Sequence, residues 1–354
     1  MKNTSSYPTI SVVIATYNSD RTIERCLRSI RSQEYPQHNI EIILADGGSS
    51  DRTKTIAKKY NARVIEIDPR LQNAEYNKSI GIQKARHEIL AMIDHDNVLP
   101  YPLWFKSMLE PFLEHKDVVG VETLRYHYDP HTSVLDRYFA LFGAGDPLVW
   151  YLGKTDRLSY MFDTYNLAGV AQDRGNYYLV QFNSDNIPTI GANGFLVRRQ
   201  LLLDYAHTSP GKYFDMDVNV DLIKKGFNKY AFVKNSILHL TGYGSVWCFL
   251  QRRMLFMTQY HLSTEGIRRQ NIRRYGILNW KEKLHLIWII ILSITFVIPF
   301  FDSLRGWRRI RDSAWFLHPF LCFSFVVLYG WVIIKHQITI YTKRLGDNLC
   351  WRKS

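Results

Sequence analysis

Apolar residues in the first hundred positions fall into short uninterrupted runs, separated by segments with helical spacing. Residues 10–15 (ISVVIA), 40–45 (IEIILA), 63–67 and 88–93 (EILAMI) each predict a strand. After the first, Ser19 or Asp20 can cap a helix in which Ile23, Leu27 and Ile30 recur. A second helix starts near Ser50 or Asp51 and includes Ile56 and Ala57, and a third covers 74–85 with Ile80 and Ile82. Continuous apolar strands joined by helices predict a parallel sheet covered on both faces. Ligands of such sheets bind beyond the carboxyl ends of the strands. Thr16, Asp46 and Asp94 stand at those ends.

The pattern loosens from 118 to 197. Residues 126–178 are rich in aromatics and Gly with little periodicity, which reads as an irregular packed insertion. Order returns at 190–197 (IGANGFLV), at a helix over 214–226 and at a strand within 229–240. The last third differs again. Residues 284–301 and 314–334 carry no formal charge. As helices they would be roughly 27 and 32 Å long at about 1.5 Å per residue, near the ~30 Å core of a bilayer. Pro299 and Pro319 can each kink such a helix.

The 354 residues are 46% hydrophobic and 22% charged, which excludes a disordered chain. Four widely spaced cysteines without a CxxC pair argue against a zinc ribbon or a disulfide scaffold, and for a reducing compartment. The polar stretch 1–9 has no apolar core of a secretory signal. Net charge is +13, and residues 251–354 hold 17 basic against 5 acidic side chains. Basic residues beside long apolar runs suit an anionic membrane surface better than nucleic acid. The basic segments 268–283 and 335–354 should stay on the cytoplasmic side. A two-span hairpin achieves that, but it sends Arg305, Arg308, Arg309 and Arg311 across. A shallow hairpin or interfacial helices avoid the conflict. Membrane association is therefore expected, with full crossing left open.

The strand-end residues carry candidate chemistry. Thr16, Tyr17 and Asn18 offer hydroxyl, aromatic and amide groups beside a helix start. Asp46 offers a carboxylate to a base or ribose, and Gly47-Gly48 allow close backbone approach. Asp94-His95-Asp96 place two carboxylates in one turn, which favours a divalent cation with oxygen ligands, and such a cation bridges phosphates. A nucleotide diphosphate held through a metal follows. No P-loop and no G-x-G-x-x-G after the first strand is present, which argues against a dinucleotide oxidoreductase.

The segments SVVIATYN (11–18), ADGGSSDRT (45–53) and Asp94-His95-Asp96 together resemble the family 2 glycosyltransferases of GT-A fold, over roughly residues 8–250. The resemblance implies a mostly parallel α/β sheet with helices on both faces. It implies that Thr16, Tyr17, Asn18, Asp46, Asp94 and His95 line a nucleotide-sugar site, and that Asp96 holds Mg²⁺ or Mn²⁺. Counting back eleven positions from Gly226 gives Asp215 as catalytic base, with Phe214 replacing the first acid of the family's pair and Asp217 as the fallback. His239, three before Gly242, matches a His-x-x-Gly element that ligates the metal or a phosphate. Asn193, in Gly191-Ala192-Asn193-Gly194, matches an acceptor-side loop, and Asp217 is placed on the acceptor side with it. Processive members carry Q-x-x-R-W where this chain has Gln251, then Met254 and Leu255, so a single transfer is expected; Arg252 and Arg253 can contact a phosphate or form a solvated face.

The resulting expectation has four parts: a catalytic domain over 1–250, a basic juxtamembrane linker over 251–283, two apolar membrane-associated helices over 284–334 and a basic tail over 335–354. The function expected is transfer of a sugar from a nucleotide-diphosphate donor to a polyprenyl-linked glycan acceptor, inverting, with the catalytic domain on the cytoplasmic side. The alternatives are a polyprenyl-phosphate sugar synthase and a non-catalytic nucleotide-sugar-binding membrane scaffold.

Overall fold

A computed structural model of the chain describes residues 7–183, 189–262 and 280–351. It divides into two compact units, Met1–Gly145 with Leu152–Gly242, and Asp146–Tyr151 with Tyr243–Ser354. The second unit takes up the chain at Tyr243 and includes the short piece Asp146–Tyr151. Most of the expected linker 251–283 lies outside the described residues.

The first unit opens with β1 (Ile10–Thr16), α1 (Ile23–Arg31), β2 (Ile40–Asp46), α2 (Thr53–Lys59), β3 (Arg63–Glu66), α3 (Ala74–Lys84) and β4 (Ile89–Met92). It continues with β5 (Asn97–Val98), α4 (Trp104–Glu114), β6 (Gly120–Tyr126) and α5 (Val134–Phe142). α6 (Pro147–Tyr151) belongs to the second unit. Then follow β7 (Val170–Asp173), β8 (Tyr177–Gln181), β9 (Phe195–Arg198), α7 (Arg199–Tyr205), α8 (Asp215–Lys224) and β10 (Lys229–His239).

These strands form one sheet in the order β3-β2-β1-β4-β9-β6-β10-β8-β7, with β5 paired to β10. The first four are parallel, and β6 and β10 are parallel to each other. β9 runs antiparallel between β4 and β6, so the sheet is mixed and mostly parallel, as expected. Val12, Val13 and Ile14 are all buried, as strands covered on both faces require. One face of α1 (Ile23, Cys26, Leu27, Ile30) is buried in the same core, each large apolar side chain contributing about 1.5–3 kcal/mol. Gly81 has a packing reason: a Cβ there would come within 2.5 Å of Val13, so only glycine lets α3 lie this close to β1.

β1 and β2 pair in step, Ile10 beside Ile40 and Thr16 beside Asp46, which sets the two strand ends at one level. The segment expected to be irregular contains α5. Ser133 accepts the Asp136 N–H at its start, and Gly143 closes it in the left-handed conformation.

The second unit adds α9 (Val246–Phe256), α10 (Trp280–Thr295), α11 (Val297–Arg309) and α12 (Leu317–Trp351). The Arg253 guanidinium lies 3.3 Å from buried Asp146, whose carboxylate also accepts from Tyr329 at 2.8 Å. Arg252 stacks over Phe256. The apolar run 284–301 is not one helix. α10 and α11 diverge by 74° at Phe296. Pro299 supplies the cause, since its ring clashes with the carbonyl four residues back, at Thr295, and it has no N–H to donate. Pro319 falls in the first turn of α12, where it is tolerated. Among the described residues one helical stretch, Ser313–Thr339, is long and apolar enough to cross a membrane, and the bent α10–α11 pair passes only as a broken span.

Candidate active site

The turn after β2 is organised around Asp46. Its carboxylate is fully buried and accepts from the Thr16 hydroxyl at 2.9 Å, the Ser49 hydroxyl at 2.5 Å, the Ser49 N–H at 2.8 Å and the Gly48 N–H at 3.2 Å. Those four donors fix the turn, so a direct contact to a ligand displaces one of them. Gly47 and Gly48 have a packing reason: Cβ atoms there would meet Gln72 at 2.7 Å and Pro69 at 2.4 Å, and Gly48 has φ +86°. The close approach that the structure shows is to the chain itself. Asn18, in the left-handed region at φ 49°, ties the two turns together by accepting from the Ser50 N–H and donating its own N–H to Ser49. Tyr17 beside it is 49% exposed.

Lysine joins two of the candidate acids. Lys78, from the α3 face that Gly81 brings to β1, is almost fully buried. Its ammonium lies 3.2 Å from Asp94 and 2.7 Å from Asp215. The other Asp215 oxygen accepts from the Tyr213 hydroxyl at 2.6 Å. Asp215 opens α8, and Asn219 secures that turn by donating to the Asp215 carbonyl at 2.8 Å. Burial raises the Asp215 carboxyl above the ordinary range while Lys78 opposes it. Burial disfavours the Lys78 charge, but Asp215, Asp94 and Glu75 outweigh it and keep the ammonium protonated. The fallback acid, Asp217, is fully buried one turn position on, whereas the Asp215 side chain keeps 14% exposure.

Asp96 faces His239, Oδ2 to Nε2 at 3.4 Å. Although burial opposes its charge, His239 and then His95 pull Asp96 down to about 2. Burial disfavours protonated His239, but Asp96 outweighs it and raises the imidazole. His95 itself turns to Thr22, 2.8 Å from its hydroxyl. Among the described residues no third His, Cys, Asp or Glu joins Asp96 and His239 as a metal-holding group. A carboxylate and an imidazole facing each other suit a cation that takes most of its ligands from phosphate oxygens and water, as Mg²⁺ and Mn²⁺ do.

The loop before β9 is clamped from below. Asn193 holds φ 55° between Gly191 at φ +119° and Gly194 at φ +91°. Its side-chain carbonyl accepts from Asn97, one residue past Asp96, at 3.0 Å. Arg157, inside the stretch expected to be irregular, donates to the carbonyls of Ala192 and Asn193 at 3.3 and 3.0 Å and pairs with buried Glu122 at 2.6 Å. Its guanidinium also lies over Tyr126, whose ring is 5.7 Å from that of His239. Burial raises the Glu122 carboxyl and the Arg157 guanidinium beside it opposes that rise. Gly191 approaches the start of α8 so closely that a Cβ would sit 2.5 Å from the Asp215 carbonyl oxygen.

The structure thus brings Asp94, Asp96, His239, Asn193 and Asp215 into one linked set through Lys78 and Asn97, and reaches Asp46 through Thr16, whose carbonyl accepts from Asn77 at 3.4 Å. Sequence reasoning missed Lys78, Tyr213, Asn97, Glu122 and Arg157. A lysine on the inward, glycine-bearing face of α3 is a signal that could have found Lys78. Nothing local marks Arg157.

A family model described as glycosyl transferase family 2 matches residues 11–202. Over 107 residues the chain is 34% identical to glycosyltransferase AglE of Haloferax volcanii, covering 29% of this chain and 35% of that protein. Over 78 residues it is 37% identical to the dolichyl N-acetyl-alpha-D-glucosaminyl phosphate 3-beta-D-2,3-diacetamido-2,3-dideoxy-beta-D-glucuronosyltransferase of Methanococcus voltae, covering 20% of this chain and 24% of the other. The matches therefore span about a third or less of these curated relatives. Among solved structures, the mannosyltransferase PcManGT of Pyrobaculum calidifontis, in complex with GDP-Man and Mn²⁺, aligns with a TM-score of 0.51 over 92% of this chain and 87% of that one. At 13% identity this likeness is one of fold, a GT-A fold.

Proposed function

The chain belongs to glycosyl transferase family 2, and on that premise we propose that it moves one sugar at a time, with inversion, from a nucleotide-diphosphate donor to an acceptor hydroxyl at a membrane. The observation that carries this reading is the Lys78 bridge, which gathers acids from two distant stretches of chain, Asp94 and Asp215, at the carboxyl end of the sheet.

In this reading Tyr17 and Asn18 form the rim of the nucleotide site, and Thr16 with Asp46 sets its wall. Asp94 and His95 stand beside the nucleotide. Asp96 and His239 hold Mg²⁺ or Mn²⁺, which when bound neutralises charge on the departing diphosphate. Asp215 takes the proton of the acceptor hydroxyl as it attacks the anomeric carbon. A carboxylate raised by burial is a stronger base than an exposed one, and Lys78 and Tyr213 hold it in one orientation. Asn193, fixed by Asn97 and Arg157, orients the acceptor, and Asp217 supports that side from within α8.

A lipid-linked glycan acceptor is supported by the dolichyl-linked acceptor in the name of the Methanococcus voltae relative and by the basic, apolar second unit. Met254 and Leu255 in place of the arginine and tryptophan of processive relatives support a single transfer. The catalytic domain then lies on the cytoplasmic side, and catalytic domain, linker, membrane helices and tail follow one another along the chain. The test is a donor screen with the full chain, Mg²⁺ or Mn²⁺, and native lipid extract, following release of nucleoside diphosphate. Metal-dependent release that is lost in Asp96→Ala and in Asp215→Asn is expected. Full activity in both variants contradicts the assignment, and activity surviving in Asp215→Asn alone points to a lipid phosphate acceptor, which needs no base.

A further inference from the structure

The apolar part of α10 is too short to cross a bilayer. From Leu284 to Thr295 it covers about 18 Å at ~1.5 Å per residue, against ~30 Å of hydrocarbon. At Phe296, φ 62°, the chain turns through 74° into α11 instead of going on. Around that bend the outward surface is apolar, with Ile291 and Ile294 on one side and Val297, Ile298, Phe300 and Phe301 on the other, all exposed. Exposed apolar groups this dense signal a partner surface.

Beyond Phe301 the character of α11 changes. Residues 305–311 hold four arginines and no acid. Arg305, Arg308, Arg309 and Arg311 are all exposed, and Arg311 stacks on Trp307 with its guanidinium 3.7 Å from the ring centroid. The helix is pinned on its inner side, where Gly306 lies so close to Trp315 that a Cβ would be 2.4 Å from the indole, and Ser303 bonds to the Trp315 carbonyl at 2.8 Å. An apolar bend followed by an outward arginine row is charge-complementary to acyl chains under phosphate headgroups.

We propose that α10 and α11 form a re-entrant wedge in one leaflet. α10 enters, the chain turns at Phe296, and α11 returns its arginines to the phosphates of the same anionic leaflet. This inference rests on the membrane reading above and adds to it the lipid charge class and the helices that read it. It also removes the conflict in the sequence, because the four arginines never cross.

The test uses the full chain in two measurements. In flotation with phosphatidylcholine vesicles with and without phosphatidylglycerol, the anionic vesicles should capture more protein, with capture falling as salt rises. The triple variant Arg305→Gln, Arg308→Gln, Arg309→Gln should lose about a hundredfold of that anionic preference, and the matching triple Lys variant should keep it. In sealed membranes carrying Cys350→Ser, a membrane-impermeant maleimide should label native Cys248, exposed ahead of α10, from the same side as Ser313→Cys made in a Cys248→Ser background. Labelling from opposite sides overturns the wedge, and so does a Gln triple that binds anionic vesicles as the parent does. If the parent chain floats with no vesicle at all, the membrane reading itself falls.

Discussion

In β1 to β4 each candidate side chain ends or follows a strand by a short fixed step: Thr16 and Asp46 end β1 and β2, and Asp94 follows β4 by two residues. The half built on β6, β9 and β10 places its residues differently. Asn193 precedes its strand in a strained loop held by a buried pair from elsewhere in the chain, Arg157 with Glu122, and Asp215 opens a helix and is held by Lys78 and Tyr213. The first half is positioned by backbone pairing between repeated strand–helix units, and the second by side chains that meet over long sequence distances. Mutations should therefore act locally in the first half and cooperatively in the second.

The largest effect is expected from Asp215→Asn, which keeps the shape of the base and removes its basicity. Turnover should drop by about 10²–10⁴-fold with donor binding retained, as loss of a general base does. Steady-state kinetics with a donor-binding titration checks this, and loss of donor binding along with turnover would erase the division between the halves. Arg157→Met should come next. It leaves Glu122 buried without its cation and should cost about 3–5 kcal/mol in urea denaturation. The pair Arg157→Met with Glu122→Leu should regain most of that stability, yet the Ala192 and Asn193 carbonyls still lose their donor, so the acceptor KM should stay raised. Recovery of both would reduce the ion pair to packing.

Lys78→Met sharpens the comparison where the halves meet. Lys78 opposes the burial that raises Asp215, so its removal should raise that carboxyl further. The reaction needs the carboxylate, and the rate falls as pH drops through its pKa. The acid limb of the pH–rate profile should accordingly move to higher pH, and an unmoved limb would show that the lysine does not set the base. The smallest effect is expected in the first half. Thr16→Val removes one of four donors to Asp46 and should cost about 0.5–1.5 kcal/mol with little change in the acceptor KM.

The same contrast explains how much the sequence reveals. Apolar runs, their spacing and the acids that follow them depend on local patterning, so the four parallel strands, the α3 helix and the residues Thr16, Asp46, Asp94 and Asp96 are legible there. β9 escapes because nothing in FLVR states its direction, and α5 escapes because its Ser133 and Gly143 boundaries sit among aromatics that blur the period. Lys78, Tyr213 and Arg157 become visible only when distant segments are brought together. Pro299 is visible in the sequence as a breaker, and the structure adds where the break falls and how sharp it is.

The central claim is that acids from separate segments serve one diphosphate site. Anomalous scattering from a crystal grown with Mn²⁺ and a nucleoside diphosphate measures it directly. The account predicts one manganese peak bounded by Asp96 and His239, with the diphosphate against it and Asp94 and Asp215 on the same cavity wall. A diphosphate bound away from Asp96, or a manganese peak that neither Asp96 nor His239 touches, would contradict it.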